Sequence, residues 1–471
     1  MISNKYLKNH KIILVNLALA VLVVVLPFSM RILTRHPLIP GEEIYYHIRL
    51  AKTTPLMVSK TFSPYYVALW ALSHVFSMDL SVLLLSLTSA LFSVAILYFL
   101  IRKELQSDEI FFTLLFFVVS PVFLYSFTTG SASGFSFFLL LLAIYLFSKK
   151  KFVLVSFSLI IFVALSLTSP VYAFASGIIL LFYVILKKPP VLKSTFALLS
   201  IIVSAIMSEV LFSRYMACYT SYADISFLQK YIADLGGAYG FGVFTLLLAA
   251  LGFLVTWRKK RDYLLLYLLI IVFMFTSGSC VQSNIILNLL LAILAAKGMK
   301  ALISRKWDIE IVKVLSVAVI LCGILFSVVS YTKTISNIGP DYNLIKALKW
   351  LSTYSKNDEV VLSHPNYGFW IEMFAHKRPV VEQSILSSSN YKSVLEDFDK
   401  VFYSRNLKKT KPILKNNNVS FVLVTPEMKQ GVVWKRANDG LLFLFRNNET
   451  FKRIYSYQNV EIWQVLYTGD E

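Results

Sequence analysis

Long apolar stretches alternate with short polar segments along the first 332 residues of the chain. An α-helix needs about 20 mostly apolar residues to cross the hydrocarbon core of a membrane. The pattern predicts about eleven such spans, some of them short, and therefore a polytopic α-helical membrane protein in the cell membrane. The predicted spans cover residues 12–33, 80–101, 109–127, 133–148, 152–168, 171–186, 194–212, 240–256, 263–279, 284–299 and 311–331.

Composition supports this class and argues against others. Hydrophobic residues make up 57% of the 471 residues and charged residues 15%, whereas an average soluble protein has about 25% charged residues. So apolar a chain cannot cover itself with polar surface, which argues against a soluble enzyme, a disordered protein or a nucleic-acid-binding domain.

The basic residues predict the orientation of the spans. The 46 Lys and Arg residues exceed the 26 Asp and Glu residues and give a net charge of +20. With the N-terminus inside, clusters such as 149–151 and 258–261 all fall in inner loops, as the positive-inside rule requires. An odd number of spans then places the C-terminal segment outside. The outer loops before that segment hold few basic residues: Arg31, Arg35, Arg49, Lys52, Lys60, Arg214 and Lys230.

Residues 333–471 contain no further apolar span and are predicted to form an extracytoplasmic soluble domain, following a transmembrane domain of residues 1–332. Two long outer loops, at about 34–65 and 213–239, also stand outside the membrane. The soluble domain is predicted to be α/β or α+β, with a helix at Tyr342–Tyr354. Short apolar runs predict strands at Glu359–Leu362, Val419–Thr425, Leu441–Phe445 and Val460–Leu466.

The first outer loop holds the best candidates for chemistry. A Pro40-Gly41 turn precedes Glu42 and Glu43, and acidic residues at this place favour the start of a short helix. On such a helix Glu43, Tyr46 and His47 share one face. These carboxylates could hold a divalent cation or act as a general base. The alternative is an N-capping acid pair on a solvated surface helix.

Residues 43–49, Glu-Ile-Tyr-Tyr-His-Ile-Arg, resemble the first-loop motif of oligosaccharyltransferase catalytic subunits, Asp-Pro-Trp-Tyr-His-Tyr-Arg. These subunits are GT-C membrane glycosyltransferases that use lipid-linked sugar donors on the outer face. The resemblance implies that Glu43 replaces the catalytic, metal-binding Asp. Related GT-C enzymes carry Asp-Glu before a Tyr, and that register nominates Glu42 instead. The implied cofactor is a divalent cation, Mn or Mg.

Two further segments extend the resemblance. His364-Pro365-Asn366-Tyr367-Gly368-Phe369-Trp370-Ile371 is similar to the family's Trp-Trp-Asp-Tyr-Gly-Tyr-Trp-Ile segment. Asn366, Tyr367, Gly368 and Trp370 are thereby implied to lie on the acceptor side. Since His-Pro-Asn replaces Trp-Trp-Asp, ordinary recognition of the Asn-x-Ser/Thr sequon is not expected. Ser208-Glu209 resembles the Ser-x-Ser-Glu loop motif, which makes Glu209 a third candidate catalytic residue.

The family also places an Arg near the donor phosphates, at the outer end of a later span. The corresponding stretch here, residues 279–284, has Gln282 and Asn284 but no Arg. Phosphate binding would therefore need Arg49, Arg214 or Lys230, because a guanidinium fork suits phosphate better than an amide does. The implied donor site also includes Tyr46 and His47, which would position the first loop.

The sequence thus predicts a transferase that moves a sugar from a polyprenyl phosphate or pyrophosphate carrier to a protein or glycan acceptor on the outer face. A non-catalytic membrane binding or assembly subunit with the same fold is the alternative. A transporter is less favoured, since the spans carry almost no central acid or base pairs.

Overall fold

The structure is a computed structural model that describes residues 2–52, 63–130, 132–166, 168–187, 190–212, 231–237, 240–356, 358–381, 391–436 and 438–467. Every predicted span coincides with helix. The membrane region comprises α1 Ile2–Leu33, α2 Glu43–Lys52, α3 Pro64–Ser73, α4 Met78–Ile101, α5 Ser107–Val118, α6 Pro121–Thr128, α7 Ala132–Phe147, α8 Phe152–Ser166, α9 Pro170–Lys187, α10 Val191–Phe212, α11 Val243–Thr256, α12 Lys260–Ser279, α13 Asn284–Ser304 and α14 Glu310–Ser336.

Few of these helices satisfy a strict length criterion for a span. Within the described ranges, four are long and apolar enough to cross a membrane, and the bent pair α5–α6 would make a fifth. Others, such as α7 and α8, are apolar but shorter. The membrane class therefore agrees with the sequence, whereas the number of eleven spans stays a prediction.

The third predicted span is broken rather than straight. Helices α5 and α6 meet at a bend of 58°, where Ser120 caps α6 and Pro121 occupies its first turn. Pro121 cannot donate the backbone hydrogen bond that would continue α5. The buried Asn288 of α13 donates to the Phe117 carbonyl (3.1 Å) and to Ser120 Oγ (2.9 Å), which holds the break in place.

Helices α11 and α13 approach each other closely at two glycines. A Cβ built at Gly252 would overlap the carbonyl oxygen of Leu294, and one at Gly298 would overlap that of Leu248. Small residues at such positions let two helix backbones pack in direct contact in a membrane.

Gly252→Ala is accordingly expected to destabilise the membrane region by about 1–3 kcal/mol, because the two backbones must move apart. The matched control is Gly177→Ala on α9, where a Cβ would meet no atom within 4 Å. Thermal unfolding of the detergent-solubilised protein should show a lower Tm for Gly252→Ala and an unchanged or higher Tm for Gly177→Ala. Equal Tm values for the two variants would contradict this packing.

The C-terminal domain is a five-stranded mixed sheet with helices around it. Its strands are β1 Val360–Leu362, β2 Arg378–Pro379, β3 Val419–Val424, β4 Phe451–Tyr457 and β5 Val460–Val465, in the order β2-β1-β3-β5-β4. Strand β1 pairs in parallel with β2 and β3, whereas β5 is antiparallel to β3 and β4. Its helices are α15 Tyr342–Tyr354, α16 Tyr391–Tyr403, α17 Leu407–Asn416 and α18 Gly440–Leu444. The predicted helix Tyr342–Tyr354 is confirmed.

One predicted strand of this domain is wrong, and two strands, β2 and β4, were missed. The run Leu441–Phe445 lies mostly in helix α18, where Leu441, Leu444 and Phe445 are buried at helical spacing. A short apolar run has no periodicity that separates a strand from a helix. Strand β2 has only two residues, and the apolar and polar residues of β4, Phe-Lys-Arg-Ile-Tyr-Ser-Tyr, do not alternate regularly, so neither gives the two-residue period of a strand.

The first outer loop packs against the C-terminal domain. Buried residues of α2, including Ile44, Tyr45 and Ile48, belong to the same hydrophobic cluster as the core of the C-terminal sheet. A different cluster fills the space between the membrane helices. Helix α2 is thus part of the hydrophobic core of the soluble domain, although most of the membrane helices lie between the two in the sequence.

Candidate functional site

Two distant segments fix the turn that precedes α2. Gly41 adopts a φ of +101°, a left-handed conformation that favours glycine. Its N–H donates to the Gly339 carbonyl (3.1 Å), and its carbonyl accepts from Trp370 Nε1 (3.3 Å). The start of α2, where Glu43 lies, is therefore attached both to the linker after the last membrane helix and to the C-terminal domain.

Glu43 and His47 form a pair one turn apart on α2. Oε1 of Glu43 lies 3.3 Å from Nε2 of His47. The side chain of Glu43 is 26% exposed and that of His47 only 6% exposed. Nδ1 of His47 has no hydrogen-bond partner among the described residues. The pair therefore presents an accessible carboxylate that a buried imidazole orients.

Tyrosine rings surround the imidazole of His47. The ring centroids of Tyr65, Tyr66 and Tyr46 lie 5.1, 5.2 and 5.7 Å from that of His47. Tyr65 donates its hydroxyl hydrogen to the Gly130 carbonyl (2.9 Å). Burial, and then the charge of Glu43, raise the pKa of Tyr65 well above its ordinary value. Tyr65 therefore remains a neutral hydrogen-bond donor beside the carboxylate.

Glu42 differs from Glu43 in its electrostatic environment. Burial raises the pKa of Glu42 to about 8, because a low-dielectric surrounding disfavours the charged carboxylate. At neutral pH Glu42 is mostly a protonated acid. The sequence left open which of the two acids is the better candidate, and the raised pKa of Glu42 is a property that only the structure shows.

Arg49, a predicted donor-phosphate ligand, forms an ion pair with Glu372 of the C-terminal domain. Its guanidinium carbon also lies 5.3 Å from the ring centroid of Tyr46. The ring of Tyr46 packs on Phe369 at 5.2 Å. Tyr46 and Arg49 thus contribute to the contact between α2 and the C-terminal domain in this structure.

The predicted acceptor-side residues lie in residues 365–375, here called the aromatic segment, which runs along α2. Thr425 Oγ1 donates to the Tyr367 hydroxyl (2.8 Å), which in turn lies 3.2 Å from Glu427 Oε2. The rings of Tyr367 and Trp370 are 5.5 Å apart. Burial is the main cause that raises the pKa of Tyr367, and the charge of Glu427 also contributes. The structure therefore brings the first-loop motif and the aromatic segment together.

His364 directly precedes the aromatic segment, and Asn366 lies in its first turn. The backbone N–H of Asn366 donates to Nδ1 of His364 (3.3 Å). Burial lowers the pKa of His364 from 6.5 to about 4, so the imidazole is neutral at pH 7. The family motif has a tryptophan at this position, whereas this chain has the smaller, half-buried ring of His364, which caps a 3-10 turn at Pro365–Tyr367.

The lowered pKa of His364 predicts acid-dependent stability. Folding favours the neutral imidazole, so its stabilisation is present above pH 6.5 and is lost as the pH falls from about 6.5 to about 4. The loss corresponds to about 3 kcal/mol between pH 7 and pH 4. Thermal unfolding at both pH values should show a smaller acid-induced fall in Tm for His364→Asn, whose Oδ1 can replace Nδ1 as acceptor. An equal fall in the wild type and the variant would contradict the prediction.

Several other predicted residues lie outside the described set. Arg214 and Lys230 fall within residues 213–230, and only the backbone of Glu209 is described, as part of α10. In the stretch where the family has its Arg, Gln282 Oε1 accepts from Ser169, and Asn284 is buried at the start of α13. The described part of the chain thus shows no guanidinium at that position.

The described residues alone do not complete a metal site. No three His, Cys, Asp or Glu side chains among them lie close enough to hold a metal ion together. Glu43 and His47 offer an oxygen and a nitrogen, so a cation at this place needs a ligand from elsewhere in the chain. Glu209 is the sequence-predicted candidate.

Sequence reasoning missed the partners that α2 meets in three dimensions. Glu372 and Tyr65 are among them, and no spacing along the chain links either residue to Glu43. One local signal was present for Tyr65, since Ser63-Pro64 is a cap and first-turn pair that predicts the start of α3.

Solved structures with the same fold support the predicted resemblance. AglB, an archaeal oligosaccharyltransferase from Archaeoglobus fulgidus in complex with an inhibitory peptide and a dolichol-phosphate, is 12% identical with a TM-score of 0.63, over 98% of this chain and 75% of that chain. The A. fulgidus oligosaccharyltransferase with Zn and sulfate is also 12% identical, with a TM-score of 0.59 over 97% and 73%. The chain has a GT-C fold.

A third structure of this fold matches along nearly its whole length. ArnT from Cupriavidus metallidurans bound to undecaprenyl phosphate is 10% identical, with a TM-score of 0.52 over 97% of this chain and 99% of that chain. No protein-family model and no curated protein matches the sequence. At such identities the likeness establishes the fold, and the chemistry has to be argued from the residues of this chain.

Proposed function

We propose that this protein transfers a sugar from a polyprenyl phosphate or pyrophosphate carrier to a protein or glycan acceptor at the outer face of the cell membrane. One observation carries the proposal: in a chain with the GT-C fold, the Glu43–His47 pair lies on a helix that packs against the aromatic segment. The fold is shared with AglB in complex with a peptide and dolichol-phosphate, and with ArnT bound to undecaprenyl phosphate.

In the proposed reaction a nucleophilic atom of the acceptor bonds to the anomeric carbon of the sugar. The bond between that carbon and the phosphate oxygen breaks, and the phosphate leaves with its polyprenyl chain. Glu43 is accessible and is oriented by His47, so its carboxylate can take up the proton of the acceptor or serve as a cation ligand. Both roles require the ionised carboxylate, and the raised pKa of Glu42 makes that residue the less suitable of the two.

The remaining roles follow the resemblance. A divalent cation, Mn or Mg, held by Glu42 or Glu43 together with Glu209 would neutralise charge on the leaving phosphate. His47 and Tyr46 would keep α2 in place, and Arg49, Arg214 or Lys230 would bind the donor phosphate. Asn366, Tyr367, Gly368 and Trp370 would shape the acceptor side. We also infer a multi-pass topology with the N-terminus inside and the C-terminal domain outside.

A non-catalytic membrane binding or assembly subunit is the second candidate. Its support is the ion pair between Arg49 and Glu372. Arg49 is the described cation nearest to the first-loop acids along the chain, and in this structure it binds a carboxylate of the protein itself. The sequence adds three departures from the family: the first-loop Asp, the phosphate Arg and the Trp-Trp-Asp half of the later segment are all replaced.

A direct assay separates the two candidates. Purified full-length protein in detergent is incubated with native polyprenyl-linked sugars, with manganese, magnesium or a chelator, and the released polyprenyl phosphate is measured by mass spectrometry. The transferase predicts repeated turnover. Absence of release under every condition, from protein shown to be folded, would favour the non-catalytic subunit.

A further inference from the structure

Arg31 is a fully buried cation at the outer end of α1, with 0% of its surface exposed. Isolated buried charges are costly unless hydrogen bonds compensate them. The sequence places Arg31 only among the few basic residues of the outer side, whereas its environment in the structure calls for a specific role.

The guanidinium of Arg31 binds backbone carbonyls at the end of α14 and within the polar linker, here residues 337–341, that leads from α14 to the C-terminal domain. Nη1 donates to the carbonyls of Ser336 (2.9 Å) and Ile338, and Nη2 to that of Pro340 (3.3 Å). Nε donates to the carbonyl of Pro37 in the first outer loop. The last carbonyls of a helix lack partners within the helix and carry partial negative charge, so a cation is favourable at the end of α14.

The carbonyls that Arg31 binds flank Gly339, and Gly339 contacts the candidate site directly. Its carbonyl accepts from the N–H of Gly41. A Cβ at Gly339 would lie 2.6 Å from the ring of Trp370, and Trp370 itself donates to the carbonyl of Gly41. Arg31, the linker, Gly41 and Trp370 therefore form one connected set of contacts that ends two residues before Glu43.

We propose that Arg31 is a positioning residue for α2: by fixing the linker, it sets the place of Gly41 and hence of the Glu43 carboxylate relative to the aromatic segment. Only the expected effect of Arg31 on the rate of sugar transfer rests on the proposed transferase function. A planar guanidinium directs several N–H groups to separate carbonyls at once, which the single ammonium of lysine cannot reproduce. Small displacements of a reacting group from its productive geometry can cost about 100-fold in rate.

The C-terminal domain supplies a matched control. Lys377 is also a buried cation, 2% exposed, and its Nζ donates to the carbonyls of Ser355 (2.9 Å) and Lys356 at the end of α15. Like Arg31 it caps a helix C-terminus, but its described hydrogen bonds do not reach Gly41. Lys377→Gln should therefore lower stability without acting on the first loop through the linker.

The first measurement is hydrogen–deuterium exchange of the full-length protein in detergent, which does not depend on activity. Arg31→Gln and Arg31→Lys should each raise exchange in peptides covering residues 39–48, including the amide of Gly41. Exchange in β3 should stay unchanged in both variants. Lys377→Gln should leave peptides 39–48 as in the wild type. Unchanged exchange at 39–48 in Arg31→Lys, the variant that keeps the charge, would overturn the proposal.

The second measurement is donor turnover by the same variants. Arg31→Lys and Arg31→Gln are expected to reduce kcat by about 10- to 100-fold while the KM for the donor changes less than about twofold. Lys377→Gln, assayed below its Tm, should keep the wild-type kcat. Equal losses in the Arg31 and Lys377 variants would show a purely structural role. If the wild type has no turnover, the proposed function fails, and the exchange experiment still decides whether Arg31 positions α2.

Discussion

Replacing Glu43 by Gln is expected to reduce the rate of sugar transfer by about 100-fold or more, the usual range for loss of a general base. The physical reason is the loss of the ionised carboxylate, which the reaction needs whether Glu43 accepts a proton or holds a cation. Since Gln is nearly isosteric and can still accept a hydrogen bond from His47 Nε2, the local structure should be kept. The measurement is kcat with a polyprenyl-linked donor, at equal amounts of folded protein.

Two control variants make this result specific. Glu42→Gln should cost less than Glu43→Gln, because burial already keeps most of Glu42 protonated at neutral pH. Glu104→Gln removes one exposed acid from the predicted inner side and should leave turnover unchanged. A larger loss for Glu42→Gln than for Glu43→Gln would assign the catalytic role to Glu42. Full activity in both acid variants would contradict the proposed site.

Trp370→Ala is expected to have the largest effect on stability and to reduce turnover as well. The indole is buried, donates to Gly41 and packs against Gly339. Truncation of a buried Trp costs about 3–5 kcal/mol, through lost burial and the cavity left behind. It also removes the hydrogen bond that fixes the turn before α2, so the Glu43 carboxylate loses part of its support.

The control is Trp434→Ala in the same domain. Trp434 is equally buried, and its Nε1 donates to the Phe402 carbonyl (2.8 Å), away from α2. Both variants should lower the Tm by similar amounts. At a temperature where both are folded, only Trp370→Ala should reduce kcat, by at least about tenfold. A loss of kcat that follows Tm equally in the two variants would reject a site-specific role for Trp370.

The sequence determined those features that depend on neighbours along the chain. A helix places residues four apart on one face, so Glu43 and His47 could be paired from spacing alone, and the structure has their side chains 3.3 Å apart. Apolar stretches predicted the helices at the eleven candidate spans, although not α3, and the local pattern predicted the helix at Tyr342–Tyr354. Even the resemblance to oligosaccharyltransferases rests on short contiguous motifs, and the shared fold agrees with it.

Only the tertiary structure decided which distant groups these local motifs meet. Arg49 looks like a phosphate ligand from its motif, yet it lies against Glu372. The turn at Gly41 depends on Gly339 and Trp370, about 300 residues away. Backbone carbonyls, which the sequence does not distinguish, bind the Arg31 guanidinium. Periodicity reports which face of a helix is apolar, whereas the partner of that face is set by how all the segments pack together.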